Sequence, residues 1–393
     1  MSMVVQHNMT AMNANRMLGV TVGQQAKSTE KLSSGFKINR AADDAAGLSI
    51  SEKMRKQIRG LDQASANAQD GISSVQTAEG ALGEVHDMLQ RMNELAVQAA
   101  NGTNSTSDRT AIQNEIKQLT TEIDRVAETT KFNETYLLKG DVKGSTKIIT
   151  LKPHDAGLKG SMGEVNMTTT PPSVKFTVPE LKESDTIMIG GKQYTIKAAG
   201  VADLDEITSN KAYELMTAEL KKANEIGAED TTKVEVEKDD NVFTIKLGQH
   251  TVAKPLAFNL HVGADADMTN KISVNIETMN SAYLGIKDLN VVDNKDVSPG
   301  AQATYAIDAI ADAIQKVSDQ RSALGAVQNR LEHTIKNLDN VVENTTAAES
   351  QIRDTDMAST MVEYTKNNIL MQAGQSMLAQ ANQSTQGVMS LLQ

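Results

Sequence analysis

The most regular pattern of apolar positions begins shortly after Pro299 and ends at Val342. Apolar residues recur there in alternating steps of three and four, which is the heptad spacing of a coiled coil. The stripe consists of Ile307, Ile310, Ile314, Val317, Leu324, Leu331, Ile335, Leu338 and Val342, with Arg321 and Gln328 at its two polar positions. The sequence therefore predicts a long helix with a narrow apolar seam.

A second heptad stripe precedes the centre of the chain, from Leu61 to Ala99, with one slip of register near Gly71. Residues 101–105 (NGTNS) predict a turn, and a shorter heptad helix follows over 112–126. Each buried aliphatic side chain contributes about 1.5–3 kcal/mol, so we expect the three seams to pack against one another. An antiparallel bundle is the simplest arrangement, and it brings the two ends of the chain to the same pole.

The centre of the chain has a different pattern, because all six prolines lie between positions 153 and 299 and proline interrupts helices. Residues 185–196 predict a β-hairpin about Gly190-Gly191, and strands over 234–236 and 242–245 flank a polar turn at 238–241. A strand over 173–178 and a helix over 205–226 complete an α+β module. The predicted fold class is mainly α: a long antiparallel helical coiled-coil bundle formed by the N- and C-terminal segments, with a small α+β module inserted at its tip.

The two ends of the chain are amphipathic but almost uncharged. Arg16 is the only charged residue before position 27, and none follows Lys366. A solvated helix normally exposes charges, so these ends fit burial in a self-assembly, a membrane-surface helix or an unstructured tail. We favour self-assembly, since membrane-surface helices usually present Lys and Arg. The residues expected to mediate polymerisation are Val5, Met9, Met12, Val22, Met357, Met361, Tyr364, Met371 and Leu378.

Composition excludes several kinds of chemistry. With 39 Lys and Arg against 50 Asp and Glu the net charge is −11, which disfavours nucleic-acid binding. The absence of Cys excludes disulfides and thiolate sites, and no stretch is apolar enough to predict membrane insertion. The six His residues are scattered, and Asp43-Asp44 fits a helix-capping or salt-bridging loop better than paired catalytic acids. We expect neither an enzyme nor a cofactor, and the start of the chain shows no cleavable signal.

Five blocks of the sequence carry a specific pattern: residues 32–50 (LSSGFKINRAADDAAGLSI), 90–102 (QRMNELAVQAANG), 369–374 (ILMQAG), 377–383 (MLAQANQ) and the final Leu391-Leu392. Together these blocks closely resemble the bacterial flagellin family. The resemblance implies a structural subunit that polymerises with itself into the extracellular flagellar filament. It also implies export in an unfolded state through the flagellar type III channel, with an export chaperone, filament cap and hook-junction proteins as partners.

The resemblance also implies a domain division and two sets of recognition residues. The expected domains are 1–44 with 350–393 (terminal coiled-coil inner tube), 45–140 with 257–349 (helical outer tube with a short hairpin) and 141–256 (variable, surface-exposed α+β). Carried over by position, residues for host Toll-like receptor 5 are Gln90, Arg91, Leu95, Gln98 and Glu115, and residues of an inflammasome-type tail are Val388, Leu391 and Leu392. One helix face should present Arg91, Leu95 and Gln98. A hook-filament junction protein and a secreted coiled-coil adhesin remain the alternatives.

Overall fold

Long helices form both ends of the chain, and a set of short strands lies between them in the sequence. The computed structural model describes residues 8–141, 144–169, 171–197, 206–228, 234–292 and 300–391, with the backbone alone for 384–391. The helices are α1 (Met9–Ser34), α2 (Ala45–Ala100), α3 (Thr106–Thr129), α4 (Ser209–Glu225), α5 (Ser281–Leu284), α6 (Ala301–Arg353) and α7 (Met357–Leu391). The predicted fold class, mainly α with a small α+β module between long terminal helices, is confirmed.

Most of the strands are short and pair antiparallel. They are β1 (Lys131–Phe132), β2 (Thr135–Tyr136), β3 (Thr146–Thr150), β4 (Ser161–Met162), β5 (Ser173–Thr177), β6 (Thr186–Ile189), β7 (Lys192–Ile196), β8 (Glu206–Ile207), β9 (Val236–Asp239), β10 (Val242–Lys246), β11 (Gln249–Ala253), β12 (Leu256–His261) and β13 (Lys271–Ile276). They form the sheets β4-β5-β10-β9 and β6-β7-β8 and the pairs β1-β2, β3-β11 and β12-β13.

The chain folds into two compact units. Unit 1 contains the described residues of Met1–Ala66, Val262–Asn270 and Thr334–Gln393, and unit 2 those of Asn67–His261 and Lys271–His333. The long helices α2 and α6 therefore contribute residues to both units. The three-domain division expected from the sequence stays a prediction.

The heptad stripe of α6 forms the predicted seam. Every seventh residue is almost fully buried, and these positions are Ile310, Val317, Leu324, Leu331 and Leu338. In unit 2 the seam packs into a core shared with α2, α3, α5 and the β12-β13 hairpin. The interrupting Arg321 places its Nη2 4.0 Å from Glu79 Oε1 on α2, so its charge stays paired at the edge of the seam.

The stripe of α2 is continuous, so the predicted slip of register is wrong. Gly71 itself occupies a seam position, with Ala68 and Val75 buried on either side of it. A Cβ atom at Gly71 would lie 2.2 Å from Leu260 Cδ1 of β12, which fills the place of a side chain. The neighbouring Ile72, which the sequence pattern favoured, is only half-buried.

Local capping fixes where the helices begin and end. Asn8 accepts the Ala11 N–H at the start of α1, and Gly35 ends that helix in the left-handed conformation, with φ of 76°. Ser105 and Asp108 form a capping box at the start of α3, which confirms the turn predicted over 101–105.

The central module has its own core in unit 2, built on Phe176, Phe243 and Tyr213, with α4 packed on the strands. The predicted hairpin about Gly190-Gly191 is confirmed as β6-β7. The second predicted hairpin, β9-β10, is also present, but its turn is the two residues Asp240-Asn241. The four-residue turn predicted at 238–241 is wrong because the strands continue pairing up to Asp239 and Val242.

Candidate assembly and receptor surfaces

Helices α1 and α7 pair antiparallel within unit 1. At one end Asn8 Nδ2 donates to the Ala381 carbonyl over 3.1 Å. Further along, Leu18 lies against Gly374, and at the other end Phe36 and Asp354 form an isolated β-bridge. Residues near the start of one helix thus meet residues near the end of the other, as the antiparallel prediction requires.

The contact seam between α1 and α7 is mostly small or polar. The least exposed positions of both helices recur in steps of three and four, as in a coiled coil. They are Ala11, Ala14, Leu18, Thr21, Gln25, Ser28 and Leu32 on α1, and Thr360, Tyr364, Asn367, Met371, Gly374, Leu378 and Ala381 on α7. The larger apolar side chains of the seam are Leu18, Leu32, Tyr364, Met371 and Leu378.

Other large apolar side chains lie on the outside of the pair. Of the residues predicted to mediate polymerisation, Met9, Met12, Val22, Met357 and Met361 are exposed, whereas Tyr364, Met371 and Leu378 are half-buried in the seam. Val5 lies outside the described residues. The sequence analysis did not single out six further exposed apolar residues: Met17, Val20, Val362, Ile369, Leu370 and Met377.

The exposed apolar residues of α1 and α7 are distributed around the helices and not confined to one face. In α7, Val362 and Ile369 are seven residues apart and lie opposite the seam, while Leu370 and Met377 lie on one flank. No charged residue follows Lys366 to solvate Ile369, Leu370 and Met377. The lack of charge on every face could have identified these residues from sequence, whereas a search for one apolar face could not.

The predicted receptor residues cluster on the surface of unit 2, with one exception. Arg91 of α2 donates from Nε and Nη2 to Glu115 Oε1 of α3, over 3.1 and 3.0 Å, and from Nη1 to Glu94 Oε2 over 3.0 Å. Both carboxylates raise the pKa of Arg91 by accepting its hydrogen bonds, and Glu94 has the larger effect. Gln90 and Gln98 are exposed on the same helix. Glu94, which the sequence analysis did not include, therefore shares the guanidinium with Glu115.

Leu95 does not lie on the surface with the others. Its side chain is 2% exposed and packs in the core of unit 2 among residues of α2, α3 and α6. The expectation that one exposed helix face presents Arg91, Leu95 and Gln98 is therefore wrong for Leu95, because α3 folds back over that side of α2. In the tail, Val388 and Leu391 belong to α7, and Leu392 lies outside the described residues.

The loop between α1 and α2 confirms the capping interpretation of Asp43-Asp44. Asp43 Oδ2 accepts the N–H groups of Asn39 and Arg40 over 3.2 and 3.0 Å, and Asp44 Oδ1 accepts that of Gly47 over 2.9 Å. The bond from Arg40 is the main reason why the pKa of Asp43 is lowered. Asp43 therefore closes the loop, and Asp44 caps the first turn of α2.

The described residues show neither a membrane-spanning helix nor a metal-binding cluster. No described helix is long and apolar enough to cross a bilayer. Nor do three or more His, Asp or Glu side chains in the described part of the chain converge on a common metal position.

Two protein-family models match this chain, one at each end. The model of the bacterial flagellin N-terminal helical region matches residues 5–143, and the model of the bacterial flagellin C-terminal helical region matches residues 307–392. Together the two matches span more than half of the chain. The chain belongs to the bacterial flagellin family. The residues between the two matches hold the central module.

Full-length relatives agree with this assignment. The flagellin of Clostridium tyrobutyricum is 44% identical over 398 residues, which cover 98% of this chain and all of that protein. The flagellin of Halalkalibacterium halodurans is 39% identical over 390 residues, covering 99% of this chain and all of that protein. The crystal structure of Bacillus cereus flagellin matches with a TM-score of 0.34 at 21% identity, over 70% of this chain and 88% of that one.

Proposed function

We propose that this flagellin polymerises with itself into the extracellular flagellar filament through α1 and α7. Family membership supports the filament role, and the exposed apolar surface of the helix pair supports the assembly mechanism. Many exposed apolar side chains with few charges among them are unfavourable in water and typical of interaction sites. In a filament, copies of the same pair cover one another. The terminal coiled coil (1–44 with 350–393) then forms the inner tube, the helical bundle (45–140 with 257–349) the outer tube, and the 141–256 module the outer surface.

The test is deletion of residues 1–26 or of residues 367–393. Either deletion should abolish polymerisation, while far-UV circular dichroism of the remaining chain still shows the helical core of unit 2. Negative-stain images should show long supercoiled tubes for the full chain and none for the deletions. Filament growth at the normal rate after either deletion would refute this mechanism.

The proposal includes export through the flagellar type III channel and contacts with further flagellar proteins. A chain without Cys needs no oxidative folding, which suits export in an unfolded state through the flagellar type III channel. An export chaperone would cover the apolar surface of α7 before secretion, and the filament cap and hook-junction proteins would contact the growing polymer. Export is tested by assaying the chain in the medium of cells with and without the channel.

We also propose that Toll-like receptor 5 binds the surface around Arg91 and Glu115, with Gln90 and Gln98 at its edges and Leu95 supporting it from the core. The ion pairs of Arg91 hold the guanidinium in one place, and exposed pairs of this kind contribute little to stability. Arg91→Ala should therefore weaken activation of a receptor reporter cell without unfolding the chain.

A matched control for the receptor experiment is Arg125→Ala. Arg125 is exposed on α3 and pairs with Glu122, so the substitution also removes an exposed ion pair. Activation by R125A should equal that of the unmodified chain. A full response to R91A would contradict the proposed receptor surface. Deleting the final residues from Val388 onward tests the inflammasome-type tail in the same way.

The family matches do not favour the two alternatives. Both family models are those of flagellin, and the full-length relatives at 44% and 39% identity are flagellins. A hook-filament junction protein would form short junctions, and a secreted adhesin would form discrete rods. Images of purified, polymerised material separate all three.

A further inference from the structure

The loop that follows α1 and the loop that follows α6 lie side by side in unit 1. The Lys37 N–H donates to the Arg353 carbonyl over 2.6 Å, and the Thr355 N–H donates to the Gly35 carbonyl over 3.0 Å. These two bonds make up the isolated β-bridge at Phe36, and we call this group of residues the loop bridge. The end of α1 and the start of α7 are thus tied together at the place where α6 ends.

Two guanidinium groups lie over the aromatic ring of the loop bridge. The Cζ atom of Arg353, the last residue of α6, is 4.5 Å from the centroid of the Phe36 ring. The Cζ atom of Arg55 of α2 is 5.9 Å from the same centroid. Both distances are within the range of about 6 Å for cation–π attraction. Phe36 and Tyr364 are the only aromatic residues in the sequence ranges of unit 1, so one ring of a loop contacts both α2 and α6.

Arg353 has lost most of its contact with water. Its side chain is 12% exposed, and its Nε atom is buried and has no acceptor among the residues that the structure describes. Its Nη1 atom lies 3.2 Å from Glu52 Oε1 of α2, and a second pair, Arg55 Nη2 with Glu349 Oε1 over 3.5 Å, joins the same two helices. A buried guanidinium N–H without an acceptor is unfavourable. The face of the Phe36 ring offsets part of this cost, because cation–π attraction is stronger where water is excluded.

We propose that the Phe36–Arg353 contact fixes the direction in which the α1–α7 pair leaves the ends of α2 and α6, and that this direction determines the shape of the filament. The inference rests on the proposed function, because copies of the pair cover one another only in the filament.

The reason is that a single bridge of two hydrogen bonds still lets the two loops rotate about it. A planar guanidinium over a ring restricts this rotation, because the two groups attract each other in few relative orientations. A helical polymer repeats one contact geometry, so a small change of direction in each copy accumulates along the filament.

The test compares Phe36→Leu and Arg353→Gln, which share only the loss of the cation–π contact, with the control Arg40→Gln. Arg40 lies in the same loop as Phe36, and its Nε is 3.0 Å from Glu30 Oε1. The control therefore loses the same charge as Arg353→Gln and also an ion pair.

The first readout is assembly. Only chains whose helix pair has the correct direction can add to a filament end, so the two contact variants should raise the critical concentration. The expected increase is roughly 3- to 30-fold, as the loss of one cation–π contact implies. Negative-stain images of their filaments should show an altered supercoil pitch. The control should change neither value.

The second readout is the direction of the helix pair itself. The chain contains no Cys, so spin labels attach only at introduced positions, here Lys53→Cys on α2 and Lys366→Cys on α7, where both lysines are exposed. Filaments grown with a small fraction of doubly labelled chains give the distance between the two labels of one chain by pulsed electron paramagnetic resonance. One narrow distribution is expected for the labelled parent and for R40Q, and a broadened or displaced one for F36L and R353Q.

A contact that only stabilises the fold would give a different result. F36L and R353Q would then lower the melting temperature in circular dichroism but leave the distance distribution and the supercoil pitch unchanged. That result, or equal effects of the contact variants and the control, would overturn the inference and leave the filament role intact. An unmodified chain that forms no filament would refute both.

Discussion

Replacing Ile369 by Ala tests whether the outside of the helix pair acts only in the polymer. Ile369 lies on α7 opposite the seam and is 62% exposed in the single chain. Most of its surface is therefore in water in the monomer, and the substitution should change monomer stability by no more than about 0.5 kcal/mol. In the filament the remaining surface would be covered by other copies.

The expected loss in the filament follows from the exposed fraction. Full burial of an isoleucine is worth about 1.5–3 kcal/mol, and the part still exposed in the monomer corresponds to about 1–2 kcal/mol. At 1.4 kcal/mol for each factor of ten, the critical concentration should rise roughly 5- to 30-fold. Sedimentation of polymer at increasing protein concentration measures it, and thermal unfolding followed by circular dichroism measures the monomer.

Ile148→Ala is the matched control. Ile148 has the same side chain and nearly the same exposure, 66%, but belongs to β3 of the central module. Its replacement should leave both the monomer and the critical concentration unchanged. An unaltered critical concentration for I369A, or an equal increase for both variants, would show that the uncharged outside of α7 is not an assembly surface.

Three further predictions concern unit 2. Leu89→Ala, at a fully buried seam position of α2, should lower the free energy of unfolding by about 2–5 kcal/mol in a denaturant titration, whereas Val97→Ala on the exposed face should change it by less than about 0.5 kcal/mol. Arg109→Ala should cost about 1–3 kcal/mol in the same titration, because the buried guanidinium donates to the Ala99 carbonyl at the end of α2 over 2.9 Å, and a loss below 0.5 kcal/mol would contradict that role. Burial lowers the pKa of His154 below its ordinary 6.5. The contribution of the neutral imidazole to stability is therefore complete above pH 6.5 and is lost as the pH falls through the lowered pKa. His154→Gln should reduce this acid sensitivity, and NMR titration of the imidazole measures the pKa.

Much of the helical architecture could be predicted from periodicity. The alternating three- and four-residue steps that end at Val342 identify the buried side of α6, and the Gly190-Gly191 pair identifies a two-residue hairpin turn. Both features depend on neighbours in the sequence. The sequence blocks shared with flagellins likewise indicate the family without reference to the fold.

Contacts between distant segments could not be predicted in this way. Gly71 occupies a seam position because Leu260, far along the chain, supplies the missing side chain, and Leu95 is buried because α3 covers it. Periodicity and composition alone showed which residues share a helix face and that the two chain ends are almost uncharged. Which face meets which partner is visible only in the folded chain: α1 and α7 join through a seam of mostly small and polar residues, and Ile369 and Leu370 lie outside it. Periodicity fixes the direction of a side chain around its own helix, whereas burial depends on what else reaches that side.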